Sequence, residues 1–171
     1  MRIELESAEE SGGRFSKIYE GGQLAFDESE LRLIEPIAVS GRIRRKGGEV
    51  ELSGELNTKV MVPCARCLKE VEIPIEVNFA ERFVSAIAWR NEEQHELSQD
   101  DLNLGLVEDA AVELDDVVKE EILLSLPNQV LCDQNCKGIC PSCGADRNAG
   151  DCSCKSDEVD SRWEKLRDLR L

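Results

Sequence analysis

Residues 131–155 read LCDQNCKGICPSCGADRNAGDCSCK and contain six of the eight cysteines of the chain. The segment is rich in Gly, Asn, Asp and Cys and poor in large apolar side chains, so it cannot form a hydrophobic core of its own. A bound metal would supply the missing folding free energy, because a multi-ligand site forms only when the chain is ordered around it. The stretch therefore predicts a cysteine-rich, metal-stabilised tail.

The spacing of these thiols predicts structural zinc, one or two ions, since a closed structural site uses four ligands. A separate pair, Cys64 and Cys67, lies in a CARC motif far upstream. Two arrangements remain open. One ion could use Cys140 and Cys143 with one upstream cysteine and one of the final pair, or all eight cysteines could form two four-thiolate sites, which requires the CARC pair to approach the tail. The predicted metal ligands are Cys132, Cys136, Cys140, Cys143, Cys152 and Cys154, with Cys64 and Cys67 as further candidates.

Three other uses of the cysteines compete with metal binding. Eight thiols could form disulfides, but the N-terminus lacks an apolar signal segment, which favours the reducing cytoplasm. Thiol–disulfide exchange by a CxxC motif needs a strand followed by a helix N-terminus, and neither Cys64–Cys67 nor Cys140–Cys143 has that context. Small buried apolar residues would explain one or two cysteines, not six in a polar segment.

Upstream of the tail, residues 1–90 show the alternation of apolar and polar residues that is typical of antiparallel strands. A Gly21–Gly22 turn divides residues 14–26 and a Gly47–Gly48 turn divides residues 37–62, and both predict hairpins. Residues 71–84 also keep period two, with Pro74 favouring an edge or bulge position. We expect an α+β protein with an N-terminal antiparallel, barrel-like sheet.

The remaining segments complete the predicted domain plan. Residues 91–106 form an acidic loop, and residues 107–127 form an amphipathic helix that packs on the sheet. Residues 128–171 form a zinc-knuckle tail that ends in a short helix. The predicted apolar face of the amphipathic helix consists of Leu114, Val117, Val118, Ile122 and either Leu124 or Ser125.

The charge distribution limits the possible partners. The chain has a net charge of -15, and residues 91–131 hold 12 acidic side chains against one basic side chain. An acidic protein repels phosphate, so RNA contacts would have to come from basic clusters near its two ends. An ordinary solvated surface explains these clusters equally well. The candidate RNA-binding residues are Arg42, Arg44, Arg45, Lys46, Arg162, Lys165 and Arg167.

Catalytic signatures are absent from the sequence. The sole histidine, His95, lies in the acidic segment with no nucleophile beside it. An all-thiolate site leaves no open position on the metal for a substrate, so we expect no enzyme activity and no small-molecule substrate. No apolar run reaches the roughly 20 residues of a membrane span, so we expect a cytoplasmic protein without membrane contact.

The layout as a whole resembles the YceD family of large ribosomal RNA subunit accumulation proteins. The resemblance rests on the CARC pair, on EEILLSLP at residues 120–127 and on CKGICPSCG at residues 136–144 followed by Asn148. It implies a non-enzymatic factor that supports accumulation of the large-subunit (23S) ribosomal RNA, with ribosomal RNA or a basic large-subunit ribosomal protein as partner. The alternative hypothesis is a cytosolic thiol redox or zinc-sensing protein that uses its CxxC motifs.

Overall fold

The computed structural model describes residues 1–4, 12–26, 31–46, 48–91, 104–108 and 111–154. Its main sheet has six strands in the order β2-β4-β5-β6-β7, with β3 beside β5. All neighbouring strands are antiparallel except the pair β6 and β7. The strands are β2 (Gly13–Tyr19), β3 (Arg32–Leu33), β4 (Ile37–Lys46), β5 (Glu49–Pro63), β6 (Glu70–Ser85) and β7 (Leu104–Val107).

The β5–β6 hairpin is the longest unit of the sheet and runs in register from Glu49 opposite Val84 to Pro63 opposite Glu70. The CARC motif forms its tip. The β4–β5 hairpin turns at the other end of β5, where Lys46 pairs with Glu49. The CARC motif therefore follows one end of β5, and the β4–β5 turn lies at the other end.

A smaller sheet and two helices complete the described fold. The strand β1 (Arg2–Glu4) pairs with β8 (Ala111–Glu113), and α1 (Ala86–Asn91) follows β6. The helix α2 (Leu114–Ser125) inserts Leu114, Val117, Val118 and Ile122 into the core. The sheet contributes one face of alternate residues to the same core, among them Val39, Leu52, Leu56, Ile75 and Phe79.

Asp115 joins three elements at the start of α2. Its carboxylate accepts hydrogen bonds from the Tyr19 hydroxyl at 2.7 Å, from Lys17 at 3.0 Å and from the Met1 amine at 2.6 Å. Burial alone would raise the pKa of Asp115, but these donors outweigh it and hold the pKa well below its ordinary value.

The α+β class, the antiparallel sheet and the packing helix are confirmed. The predicted β4–β5 hairpin is present, and among the described strands Pro74 pairs with β5 alone, at a point where β6 is an edge. Within the described residues β2 and β7 do not pair, so the sheet is open and not a closed barrel. The predicted terminal helix lies outside the described residues.

Three local predictions were wrong, two of them because a distant segment competes for the backbone. The chain turns at Gly22 but forms no returning strand, because β4 already pairs with β2 and Leu24 turns into the core. The expected acidic loop at residues 91–106 ends in β7, whose parallel pairing with β6 leaves no local periodicity. Leu124 is 74% exposed, so the buried face of α2 ends at Ile122.

Candidate metal centres

All eight cysteines gather into two groups of four, and within each group the Sγ atoms lie within 4.8 Å of one another. The proximal cluster consists of Cys64, Cys67, Cys132 and Cys136, and the distal cluster consists of Cys140, Cys143, Cys152 and Cys154. This grouping follows the second of the two arrangements left open above. Of the two clusters, the proximal one takes ligands from both the hairpin tip and the tail.

The sulfur separations in the proximal cluster fit a tetrahedral ion. Cys67 Sγ lies 3.4 Å from Cys132 Sγ, and Cys64 Sγ lies 3.9 Å from Cys136 Sγ. Four sulfurs at the usual zinc–sulfur bond length of about 2.3 Å would be separated by about 3.8 Å. Both clusters could therefore hold a metal ion, and their all-thiolate donor sets suit soft or borderline metals such as zinc.

The two clusters are built on the same turn. In the proximal turn, Leu68 N donates to Cys64 O at 2.9 Å and Cys64 N donates to Lys69 O at 2.8 Å. The distal turn repeats both bonds with the same spacing, from Gly144 N to Cys140 O and from Cys140 N to Ala145 O, each at 2.8 Å. Each CxxC motif therefore forms a knuckle that brings two sulfurs together.

The residue after each knuckle has a left-handed backbone conformation. Gly144 has φ of 73° and Leu68, at the corresponding position, has φ of 62°. Glycine adopts this conformation without a steric penalty, whereas the Cβ atom of leucine crowds the following carbonyl oxygen. Leu68 is also 62% exposed, so little side-chain burial offsets this strain.

Backbone N–H groups stabilise one thiolate in each knuckle. Burial alone would raise the pKa of Cys64, but N–H groups of Arg66, Cys132 and Cys67 outweigh it and lower the pKa to about 6. The backbone N–H groups of Cys143 and Ser142 lower the pKa of Cys140 to about 6. The first cysteine of each knuckle is thus prepared to ionise near neutral pH.

In each cluster, the pKa of another cysteine is raised. Hydrogen bonding with Cys67 raises the pKa of Cys132 to about 12, and hydrogen bonding with Cys143 raises the pKa of Cys154 to about 12. One thiolate therefore opposes ionisation of the next within each cluster. A divalent cation would remove this repulsion, since all four sulfurs could then ionise against its charge.

Polar side chains support the proximal cluster from the tail. Asn148 Nδ2 donates to Cys136 Sγ at 3.4 Å, while Asn148 Oδ1 accepts from Lys137 N at 2.8 Å. Burial raises the pKa of Cys136, but hydrogen bonds from the Asn148 amide, the Gly138 backbone N–H and two neighbouring cysteines together outweigh it, so the pKa falls. Asp146 holds Asn148 through two hydrogen bonds and pairs with Lys69 Nζ at 2.7 Å. The asparagine of the sequence motif thus orients a sulfur ligand.

The backbone around Gly138 fits the two knuckles together. Ile139 N donates to Arg66 O at 3.0 Å, and the Arg66 guanidinium donates to Cys136 O at 2.8 Å. Gly138 has φ of 72°, and a Cβ placed there would lie 2.9 Å from Arg66 O. The contact therefore requires glycine, and it brings the tail within hydrogen-bond distance of the hairpin tip.

Four of the predicted RNA-binding residues lie on β4, within the described part of the chain. Arg42, Arg44 and Lys46 alternate along β4 and are exposed on its outer face, whereas Arg45 points to the opposite face and is half-buried. Arg162, Lys165, Arg167 and the histidine His95 lie outside the described residues. Sequence reasoning missed Arg14, which pairs directly with Arg42 across the sheet. Only the strand pairing, not any local motif, could have identified it.

Comparison with known proteins identifies relatives. A family model described as "Large ribosomal RNA subunit accumulation protein YceD" matches residues 52–170. YlbN of Bacillus subtilis is 30% identical over 156 residues, covering 91% of this chain and 86% of YlbN. No solved structure matches the chain. None of the helices in the described ranges is long and apolar enough to cross a membrane.

Two plant relatives carry a functional name. The "Large ribosomal RNA subunit accumulation protein YCED homolog 1, chloroplastic" of Zea mays is 24% identical over 162 residues, covering 81% of this chain and 55% of the maize protein. The Arabidopsis thaliana protein of the same name is 27% identical over 164 residues, covering 79% of this chain and 49% of its own length. The chain thus spans about half the length of these plant proteins.

The family match begins in β5 and includes α2, both knuckles and every cysteine of the two clusters. The same elements carried the resemblance seen in the sequence. With the family model matching well over half of the chain, the chain belongs to the YceD family of large ribosomal RNA subunit accumulation proteins.

Proposed function

We propose that the protein supports accumulation of the large-subunit (23S) ribosomal RNA by binding and not by catalysis, acting in the cytoplasm. The observation that carries this proposal is the family match over residues 52–170. The names of the maize and Arabidopsis relatives point to the same role. The partner is ribosomal RNA itself or a basic large-subunit ribosomal protein, for which the acidic residues 91–131 offer complementary charge.

The two clusters serve this role as structural zinc sites in the proposal. Four thiolates complete the tetrahedral coordination of zinc, so neither site keeps an open position for a substrate or an activated water. Cys64, Cys67 and Cys136 are buried, which suits a site that holds chain segments together. The proximal zinc would fix the tail on the hairpin tip, and the distal zinc would fold the tail itself.

Depletion of the protein tests the function directly. We expect the ratio of large to small ribosomal RNA to fall when the protein is removed and to recover when the wild-type gene is restored. A matched control expresses a variant with a silent change in the same gene, at the same level. An unchanged ratio in depleted cells would contradict the proposed function, whatever the metal content of the protein.

A second candidate function is thiol redox chemistry or zinc sensing, which the lowered pKa values of Cys64 and Cys140 favour. Their burial opposes it, because the two side chains are 0% and 5% exposed and a reactive thiolate must be reached by its substrate. Zinc analysis combined with a timed thiol titration separates the two functions. Zinc-containing protein with slowly reacting thiols supports the structural role, whereas metal-free protein with one rapidly reacting cysteine supports redox chemistry.

A further inference from the structure

The outer face of the sheet carries a basic trough on the side opposite α2. A cavity of about 550 Å³ is lined by Gly12, Gly13, Arg14, Arg42, Arg44 and Ser53, among others. A second cavity of about 520 Å³ shares Arg14, Arg42 and Ser53 with it and continues to Asn78. The two cavities form one surface, here called the arginine trough, across β2, β4 and β5.

The register of the strands concentrates positive charge in this trough. Arg14 and Arg42 are direct partners across β2 and β4, and Arg44, two residues later on the same face, lies opposite Glu51 of β5. Like charges placed directly opposite each other destabilise a sheet by some tenths of a kcal/mol or more. A bound anion would remove that repulsion, which gives the arrangement a function that folding alone does not require.

The arginines of the trough also lack acidic partners within the part of the chain that the structure describes. Glu51 and Glu55 line the two cavities, but neither forms an ion pair with Arg14, Arg42 or Arg44 among the described residues. Four other basic side chains of the main sheet, Lys17, Arg32, Lys59 and Arg82, do have carboxylate partners within 4.0 Å. The chain has 36 acidic and 21 basic residues, so carboxylates are plentiful. Three neighbouring arginines without carboxylate partners among the described residues therefore indicate a surface that suits an anion.

We infer that the arginine trough binds the phosphodiester backbone of RNA, an inference that rests on the proposed role in ribosomal RNA accumulation. Guanidinium groups match phosphate oxygens in a bidentate manner, and arginines two residues apart on a strand are separated by about 6.8 Å. Ser53 and Asn78 add hydroxyl and amide groups beside them. A basic ribosomal protein would be repelled by this face, so the charge favours the nucleic acid.

The position of the trough separates RNA contact from the metal sites. The trough lies where β5 begins, and the proximal cluster lies beyond its other end at Pro63. Phosphate contacts carry no base information, so this face would bind RNA with little sequence preference. Its affinity should depend strongly on salt, with a slope of about 0.7 per neutralised phosphate for a single strand.

Binding of a fluorescent 12-nucleotide single-stranded RNA to the full, zinc-loaded chain tests the inference. The variant R14Q/R42Q/R44Q should bind at least tenfold more weakly at about 100 mM salt, with a salt slope smaller by about 2. The control R32Q/K59Q/R90Q removes the same charge from ion-paired residues and should bind within threefold of wild type. The inference would be overturned if both variants bound RNA equally weakly, or if neither bound RNA more weakly than wild type. Circular dichroism and zinc content check that each variant is folded.

Complementation in depleted cells separates failure of this inference from failure of the proposed function. If depletion itself leaves the ribosomal RNA ratio unchanged, the proposed function fails. The binding assay then still decides whether the trough binds RNA. If depletion lowers the ratio and R14Q/R42Q/R44Q restores it fully, the inference that the trough binds RNA is overturned. If this variant binds RNA normally yet fails to restore the ratio, the face contacts a protein and the inference is also overturned.

Discussion

The two cysteine clusters share one turn geometry but differ in where their sulfurs come from. The proximal cluster takes two thiols from the tip of the β5–β6 hairpin and two from residues 132 and 136, across sequence separations of 65 and 72 residues. The distal cluster takes all four from residues 140–154. The same chemistry therefore does two jobs, since one site joins distant segments and the other orders a local loop.

Burial follows the same division. Three of the four proximal cysteines are buried, whereas only Cys140 is buried in the distal cluster. Buried proximal sulfurs pack against Val71 and Leu131, so the site is an extension of the protein interior. The comparison teaches that the tail depends on the sheet for its position, while its last loop depends on its own metal.

The largest effect is expected for C64S/C67S, which removes the hairpin half of the proximal cluster. The protein should lose one of two zinc ions, and the tail should leave the hairpin tip because Cys132 and Cys136 lose their partners. Hydrogen exchange should show at least a hundredfold loss of protection for Ala65 N and Ile139 N, which bond across the contact. Retained protection at both amides would contradict a joining role.

A smaller, local effect is expected for C152S/C154S. One zinc ion should be lost and Gly144 N should exchange faster, because the distal knuckle loses two ligands. Ala65 N should stay protected, since the proximal cluster and its hydrogen bond to Val130 O are untouched. This variant is the matched control for the preceding one. Release of the whole tail would show that the two clusters are not separable.

Gly138→Ala tests the close contact between the tail and the hairpin tip. The new Cβ would lie 2.9 Å from Arg66 O in a left-handed conformation, so we expect a cost of about 1.4 kcal/mol or more, a tenfold loss of zinc affinity. Competition with a chelator measures it. Gly144→Ala has φ strain without a contact and should show a smaller loss, and Gly150→Ala should show almost none. Equal effects at all three positions would contradict the account.

Asp115→Asn perturbs the sheet and should leave both clusters intact. At pH 7 we expect a loss of about 1 kcal/mol, a value reduced for a carboxylate that is 37% exposed. Because the folded pKa lies below the unfolded value, this contribution exists above about pH 4 and fades as the pH falls toward the folded pKa. Urea unfolding at pH 7 and at pH 3 measures it. A loss of zinc in this variant would contradict the separation of core and clusters.

The smallest effect is expected for Leu68→Gly, which relieves the left-handed leucine of the proximal knuckle. Relative to Leu68→Ala, which keeps φ of 62°, the glycine variant should be more stable by about 0.5 kcal/mol after the entropy of the unfolded chain is counted. Thermal unfolding of the zinc-loaded variants provides the comparison. Greater stability of the alanine variant would indicate that the backbone strain is absent.

Some of these features follow from the sequence, and others depend on the path of the chain. Local spacing predicts the two knuckles, the β4–β5 hairpin and the buried positions of α2 from Leu114 to Ile122. It leaves the partition of eight thiols open, because the contact of the CARC pair with Cys132 and Cys136 is a long-range contact between the hairpin tip and the tail. The pairing of Arg14 with Arg42 and the parallel strand β7 are also long-range contacts. Neither has a local periodic signal.

Native mass spectrometry of the purified full chain tests the central claim most directly, because it counts metal ions on folded molecules. The account predicts two zinc ions per chain in the wild-type protein, one in C64S/C67S and one in C152S/C154S. A wild-type chain with a single zinc ion, or a double variant that loses both ions together, would contradict two independent four-thiolate sites.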